Sequence, residues 1–337
     1  MKFGYSEVCL DHDTGVRHPE SPDRLRAIRR GLAKQHGVSY IDADPATEAA
    51  VRAVHDDEYI DRVKQFCADG GGEWDPDTIA VEATWDAALK SAGLAEWSAR
   101  AALDGEDGRN TPFSIGRPPG HHAVYDNAMG FCFINNAAVA AQSALDSGDA
   151  SRVAIFDWDV HHGNGTQDIF YERGDVHYSS FHEAGLYPGT GEVEETGEGD
   201  GTGTTLNAPL PSGSGDAEYV GAFEELLIPA LMEFEPDLLL VSAGFDAHEH
   251  DPISRMRVST EGYGVLTDRV RTLADDVDAS LGFVLEGGYG LDTLAESITM
   301  VHEVFDGREP VEPDGDASER AQLIIDRAAE AHGLGEK

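Results

Sequence analysis

Apolar and polar positions along this chain fall into two alternating kinds of segment. Short strand-like runs occur at Arg152-Val-Ala-Ile-Phe156, Val176-His-Tyr-Ser-Ser-Phe181, Asp237-Leu-Leu-Leu-Val-Ser242 and Leu281-Gly-Phe-Val-Leu285, with a shorter one around Ser114-Ile115. Several are continuously apolar, which predicts strands covered on both faces, as in a parallel sheet. Between them, residues 21–35, 84–103, 135–145, 217–234 and 260–276 read as helices. Ser21, followed by Pro22 and Asp23, is the expected N-cap of the first. This alternation predicts an α/β fold whose helices form the crossovers. The Gly-, Thr- and Glu-rich stretch 189–205 reads as a loop. Its Gly-x-Gly pieces have no following lysine and lie among acids, so they do not read as a phosphate loop. Residues 307–316 (GREPVEPDGD) read as a linker. A last amphipathic helix over 317–331 is expected to open with Asp316 and Glu319 as a capping box and to dock on the domain.

A chain of 337 residues can bury a large core without a disulfide or a structural metal. Cys9, Cys67 and Cys132 lie far apart and form no Cys-x-x-Cys pair, so neither a thiolate zinc site nor a disulfide framework is expected. No apolar run reaches the ~18 residues of a membrane span and no secretory leader is visible, so a cytoplasmic, non-membrane protein is expected.

Charge changes the picture more. Sixty-four Asp and Glu stand against 24 Lys and Arg, a formal net charge of -40, and only five of the basic residues are lysine. Such a surface repels phosphate backbones, so direct nucleic-acid binding is not expected. The acidity reads either as a solvated surface suited to very high salt or as attraction for a cationic substrate. Acids spread along the whole chain, with lysine scarce throughout, favour the first. At molar salt the Debye length is ~3 Å and long-range steering is lost.

Candidate chemistry gathers where strands end. After the run ending at Phe156 comes Asp157-Trp-Asp159-Val-His161-His162-Gly-Asn164. Residues two apart on an extended segment point the same way, so Asp157, Asp159 and His161 share a side. Converging carboxylate and imidazole can ligate a divalent metal. Asp246 follows the run ending at Ser242, His121 and His122 follow Ser114-Ile115, and Glu286-Gly287-Gly288-Tyr289 follows Leu285. Each alone has an ordinary explanation, a helix cap or packing. Together, at the carboxyl edge where open α/β sheets bind ligands, they favour a metal-dependent hydrolase.

These motifs resemble, in order, those of the histone deacetylase superfamily, which includes acetylpolyamine amidohydrolases. They are Arg117-Pro-Pro-Gly-His-His122, Gly130-Phe-Cys-Phe133 with Asn135-Asn136, Asp157-Trp-Asp-Val-His-His-Gly-Asn-Gly-Thr-Gln167, Ser180-Phe-His182, Tyr187-Pro-Gly-Thr-Gly191, Ser242-Ala-Gly-Phe-Asp-Ala247 and Leu285-Glu-Gly-Gly-Tyr289. The resemblance spans about residues 1–305 and is nearest the class II branch. It implies an arginase/deacetylase-like single α/β domain, with a mostly parallel eight-stranded sheet and helices on both faces. Residues 1–306 would be the catalytic domain, 307–316 the linker and 317–337 the docked C-terminal helix.

The resemblance also implies roles. Asp159, His161 and Asp246 match zinc ligands, a set that also accepts Fe2+. His121 and His122 match the tandem pair that moves protons, with Asp157 holding His121, and Tyr289 matches the donor to the oxyanion. Phe131 and Tyr187, with Gly130, match the walls of an acyl-lysine channel. Gly287 and Gly288 would let backbone approach the substrate. Asp157, Asp159, His161, Ser180 and Phe181 match an inner K+ site, and Arg24 matches an arginine near an internal acetate route. Where many class I members have a second Asp behind the second histidine, this chain has Asn164, which can orient His122 but stabilises imidazolium less. The loop 182–187 is short, and its Glu183 reads as a solvated glutamate rather than a contact for a polyamine.

The implied function is a zinc-dependent amidohydrolase acting on N-ε-acetyl-lysine in peptides or proteins. The alternative is a small-molecule amidohydrolase acting on acetylpolyamines or similar acylamines. A catalytically silent binding protein is disfavoured by the full ligand set and Tyr289. The charge generates a prediction independent of all these: unscreened carboxylates repel one another in dilute buffer, so Tm should rise steeply as KCl or NaCl is raised toward molar levels. A flat Tm across that range would sink the salt reading and revive the cationic-substrate one.

Overall fold

Eight strands, the central ones too apolar to face water, pair into one sheet. They are β1 (Lys2–Gly4), β2 (Ser39–Ile41), β3 (Pro112–Ser114), β4 (Val153–Asp157), β5 (Val176–Glu183), β6 (Thr205–Leu210), β7 (Leu238–Ala243) and β8 (Ser280–Leu285). The spatial order is β2-β1-β3-β8-β7-β4-β5-β6. Its pairings are all parallel, so the expected mostly parallel sheet is wholly so. A small antiparallel hairpin, Gly71–Glu73 with Ile79–Val81, stands apart. The computed structural model describes residues 1–334. Gly335, Glu336 and Lys337, the end of the expected 317–337 segment, lie outside the described residues.

Successive side chains of a strand point to opposite faces, so the sheet builds two cores. On one face Phe113, Phe156, Phe181, Val241 and Phe283 pack with Leu25, Tyr263, Ile298 and Ile325. Those four come from the helices Asp23–Leu32, Thr260–Asp276, Leu291–Phe305 and Glu319–Ala331. On the other face Ile155, Tyr178, Leu240 and Val284 meet alanines of the helices Thr84–Leu103 and Asn136–Ser147.

Local details differ from expectation for physical reasons. Residues 217–234 form not one regular helix but Asp216–Ala222, a wider turn Phe223–Leu227 and Ile228–Phe234. Pro229 has no N–H to give back to Glu225, which interrupts the ladder there. Ser21 does not cap the first helix. Its carbonyl accepts from Arg24 N–H, while Pro22 holds the cap position without a side-chain bond. The last helix is capped by Ser318, whose Oγ accepts from Ala321 N–H, rather than by Asp316.

Register places the site. Ser114, Val284, Ser242, Asp157, Ser180 and Asn207 lie on one rung across β3, β8, β7, β4, β5 and β6. Polar residues gather at this rung, and parallel strands deliver the loops beyond it to a single edge.

Beside that edge, buried Arg117 donates to both carboxylate oxygens of buried Glu20, each at 2.7 Å. It also donates to the carbonyls of Cys9 and His12, at 2.8 and 2.7 Å. The N-terminal loop is thereby tied to the segment after β3. Breaking one side of a buried pair strands the other charge, so Glu20→Gln should cost about 3–5 kcal/mol in urea unfolding. A loss under about 1 kcal/mol, the worth of a surface pair, would mean the pair does not hold this loop.

Candidate active site

Beyond β4, Asp159 and His161 return to the side that Asp246 reaches from the loop after β7. One ligand-type atom from each lies within 4.8 Å of the others, and all three residues are buried. His161 Nδ1 is 3.0 Å from Asp159 Oδ1 and 3.1 Å from Asp246 Oδ2. Asp246 Oδ1 accepts from Val160 N–H at 2.9 Å, but Oδ2 has no hydrogen-bond partner. Two carboxylates around one imidazole leave surplus negative charge. Burial, reinforced by the Asp159 charge, pushes the Asp246 carboxyl up. Burial opposes ionisation of Asp159 too, yet His121 and His161 hold it below the usual range. His161 is held up to about 10, against burial, by Asp246 and Asp159. A set that holds a proton this firmly also suits a divalent cation, and the unpartnered Oδ2 supplies a free donor atom. The residues fit zinc or Fe2+.

Glycines make this convergence possible. A Cβ on Gly287 would overlap Asp246 Oδ2 and stand 2.5 Å from Asp159 Oδ2, and one on Gly244 would overlap Asp159. Gly287 N–H donates to Asp159 Oδ2 at 2.8 Å. The absent side chain of Gly287 thus makes room for the carboxylates.

Next to this trio sit the two histidines, ring centroids 4.0 Å apart. His121 Nδ1 meets Asp157 Oδ2 at 3.0 Å, and the Tyr178 hydroxyl donates to the same oxygen at 3.2 Å. His122 Nδ1 meets Asn164 Oδ1 at 2.8 Å, so Nδ1 carries the proton and Nε2 is left as the acceptor. Burial disfavours charge on both rings. For His121 the Asp159 and Asp157 charges win and raise its pKa to about 10. For His122 burial, then the charges of His121 and His161, push it well below the ordinary value. One ring is built to be charged and its neighbour to be neutral. Under them Glu286 accepts from Gly120 and His121 N–H, at 2.7 and 3.1 Å, and from Ser242 Oγ at 3.1 Å.

Aromatic rings bound the approach. Phe131 lies edge-on to Tyr289, with centroids 5.8 Å apart, and Tyr187 stands perpendicular to His122 at 5.1 Å. A Cβ on Gly130 would lie 2.5 Å from the His122 ring. Burial lifts the Tyr289 hydroxyl well above its usual pKa, so it keeps its proton. Arg24 lies 5.1 Å over the Tyr289 ring, fully buried. It donates to the carbonyls of Gly288, at 2.7 Å, and Glu286. Ser180 is level with Asp157 on β5, its Oγ bonded to His182 Nδ1 at 3.0 Å, while the Phe181 ring packs on Phe156 in the core. Glu183 is not a solvated loop residue. It ends β5, is 6% exposed and accepts from Arg255 N–H at 3.1 Å, so it is not free to meet a polyamine. Sequence reasoning gave no role to Tyr178, Asp251 or Glu286. Only Glu286, inside a quoted motif, carried a signal.

A wholly parallel sheet with a buried carboxylate–imidazole trio beside a histidine pair at its carboxyl edge defines a hydrolase class of α/β protein. The histone deacetylase domain model matches residues 18–305, and the chain belongs to the histone deacetylase family. It is 37% identical over 311 residues to a histone deacetylase-like amidohydrolase of Pseudomonas aeruginosa, covering 85% of this chain and 81% of that one. A probable deacetylase of Archaeoglobus fulgidus is 38% identical over 294 residues, 86% of this chain and 81% of the other. The crystal structure of the HDA15 HD domain superposes with a TM-score of 0.90 at 36% identity, covering 98% of this chain and 96% of that one. No helix of the described residues is long and apolar enough to cross a membrane.

If the trio holds the metal, Asp246→Ala should weaken zinc binding by more than the roughly 10–100-fold that loss of an outer partner costs. The core does not depend on the ion, so Tm in chelator should stay within a few degrees of the parent. Full zinc stoichiometry by elemental analysis of the variant would remove Asp246 from the ligand set.

Proposed function

We propose that this protein is a zinc-dependent amidohydrolase that removes the acetyl group from N-ε-acetyl-lysine, or from a similar acylated amine, giving acetate and the free amine. The observation that carries this reading is the unpartnered Asp246 Oδ2 within a buried Asp–His–Asp trio, next to a neutral His122. Held by Asp159, His161 and Asp246, the metal would polarise the acetyl carbonyl and acidify the attacking water. His122 Nε2 takes the water's proton and later delivers it to the leaving amine, with Asn164 fixing the tautomer. His121, charged and held by Asp157, balances the negative charge that develops. Tyr289 donates its hydroxyl to the oxyanion. Phe131 and Tyr187 flank a neutral, unbranched acyl chain. A potassium ion near Asp157, Asp159, His161, Ser180 and Phe181 would offset part of the remaining carboxylate charge.

A specific observation favours the alternative, an acetylpolyamine or other small acylamine. Burial comes first, and the charges of Asp77 and Asp75 are among the groups that push the Tyr187 hydroxyl up further, so both carboxylates lie near the channel wall. They would attract a second ammonium group. Acetate release measured across acetyl-lysine peptides and acetylated diamines, at several salt concentrations, separates the two readings. No acetate from any of them would refute both.

Tyr289→Phe gives the sharpest test of mechanism. The hydroxyl is needed only as charge builds on the carbonyl oxygen, so kcat should fall on the order of 10²–10³. KM should change little. Wild-type turnover of both substrate classes by this variant would refute the assignment of Tyr289 even with zinc confirmed.

A further inference from the structure

The residues before Tyr289 are two glycines, the second at φ +116°. Such a segment has more backbone freedom to lose than any other pair would, so its position depends on outside anchors. Its peptide groups can be followed one by one. The carbonyls of Glu286 and Gly288 accept from Arg24. Gly287 N–H donates to Asp159, and its carbonyl accepts from Phe245 N–H at 3.0 Å. Further along come the amides of Tyr289 and Gly290. Both donate to one oxygen, Asp251 Oδ2, at 2.7 and 2.9 Å.

Asp251 is itself held firmly. It is 7% exposed, its Oδ1 accepts from Ile253 N–H at 3.0 Å, and its own N–H donates to the carbonyl of His248 at 2.8 Å. It lies in the loop that continues from Asp246, so one rigid loop carries both the metal-trio carboxylate and the anchor of the tyrosine. A carboxylate accepting two amides makes stronger bonds than a neutral acceptor would. Gly290 also opens the helix Leu291–Phe305, where a negative charge is favoured. No step proposed above uses Asp251.

We propose that Asp251 is a positioning residue for the reaction: by gripping the amides of Tyr289 and Gly290 it fixes the Tyr289 hydroxyl relative to the Asp159–His161–Asp246 trio. The proposal rests on the reading of Tyr289 as the oxyanion donor. It predicts a coupling that a merely structural carboxylate would not show.

The test is a double-mutant cycle on the zinc-loaded full chain, reading kcat, KM and zinc content with an acetyl-lysine peptide. Misplacing a catalytic group by about 1 Å can cost up to ~10²-fold. Asp251→Ala should therefore lose roughly tenfold to 10²-fold in kcat, with KM little changed and zinc retained. In the Tyr289→Phe background the same substitution should cost nothing further, because the group it positions is gone. Asp251→Asn keeps an oxygen for the two amides and should recover most of the rate. An equal kcat loss in both backgrounds, a rise in KM alone, or loss of zinc from Asp251→Ala would overturn the proposal while leaving Tyr289 in place. Wild-type turnover by Tyr289→Phe alone would instead take down the parent reading and this one with it. Should the alanine variant not fold, Asp251→Asn carries the cycle: its smaller kcat loss must vanish beside Tyr289→Phe, and an equal loss there overturns the idea.

Discussion

Carboxylates taken out of water are the constraint that the rest of this structure answers to. Glu20, Asp157, Asp159, Asp246, Asp251 and Glu286 are all buried around the carboxyl edge of the sheet. Each would cost several kcal/mol if left alone. The chain meets the demand differently each time. Glu20 takes a two-pronged arginine, and Asp157 an imidazole and a phenol. Asp251 takes backbone amides, and Glu286 backbone amides with a serine hydroxyl. Asp159 is shared between an imidazole and a glycine amide. Only Asp246 keeps an oxygen that none of these devices satisfies. The point where hydrogen bonds run out, and only the nearby His161 ring offsets the charge, is the point where chemistry is proposed.

The same placement of anions makes two adjacent, equally buried histidines unequal. His121 faces Asp157 directly, whereas His122 faces a neutral amide and feels the positive charge of its neighbours. Asn164 in place of a carboxylate therefore sharpens the division: one ring keeps its charge while the other stays free to accept a proton. Burial alone would have lowered both.

Much of this was legible in the sequence, and what was not has a common cause. β4, β7 and β8 announce themselves because central strands must be apolar throughout. β1 and β2 are three residues each, and β2 is exposed along its length, so neither leaves a pattern. β6, with its Asn207 and Pro209, was hidden at the end of an apparent loop, and the helix Leu291–Phe305 went unassigned. The trio, the histidines and Tyr289 were legible because each follows a strand end within a compact motif. The anchors were not. Glu20 meets Arg117 across 97 positions and Asp251 meets Tyr289 across 38. A lone carboxylate in a loop gives no sign of which distant amide or guanidinium it will hold. Gly287 was noticed for its missing side chain, and nothing in the sequence signalled that Asp246 and Asp159 would occupy that space.

The order of strands in the sheet has a consequence for how the molecule comes into being. β3 pairs with β8, at Ser114 opposite Val284, and β4 with β7, at Asp157 opposite Ser242. The middle of the sheet is thus the last part of it to be synthesised. At ~5–20 residues per second, a nascent chain holds β3 and β4 as open edges for many seconds before β7 and β8 emerge to fill the gap between them. Contacts so distant in sequence make folding slow. Unpaired apolar edges invite association with other chains in the meantime. Until residues 238–285 insert, the chain has neither a continuous sheet nor a complete trio, so the step that finishes the core also assembles the trio.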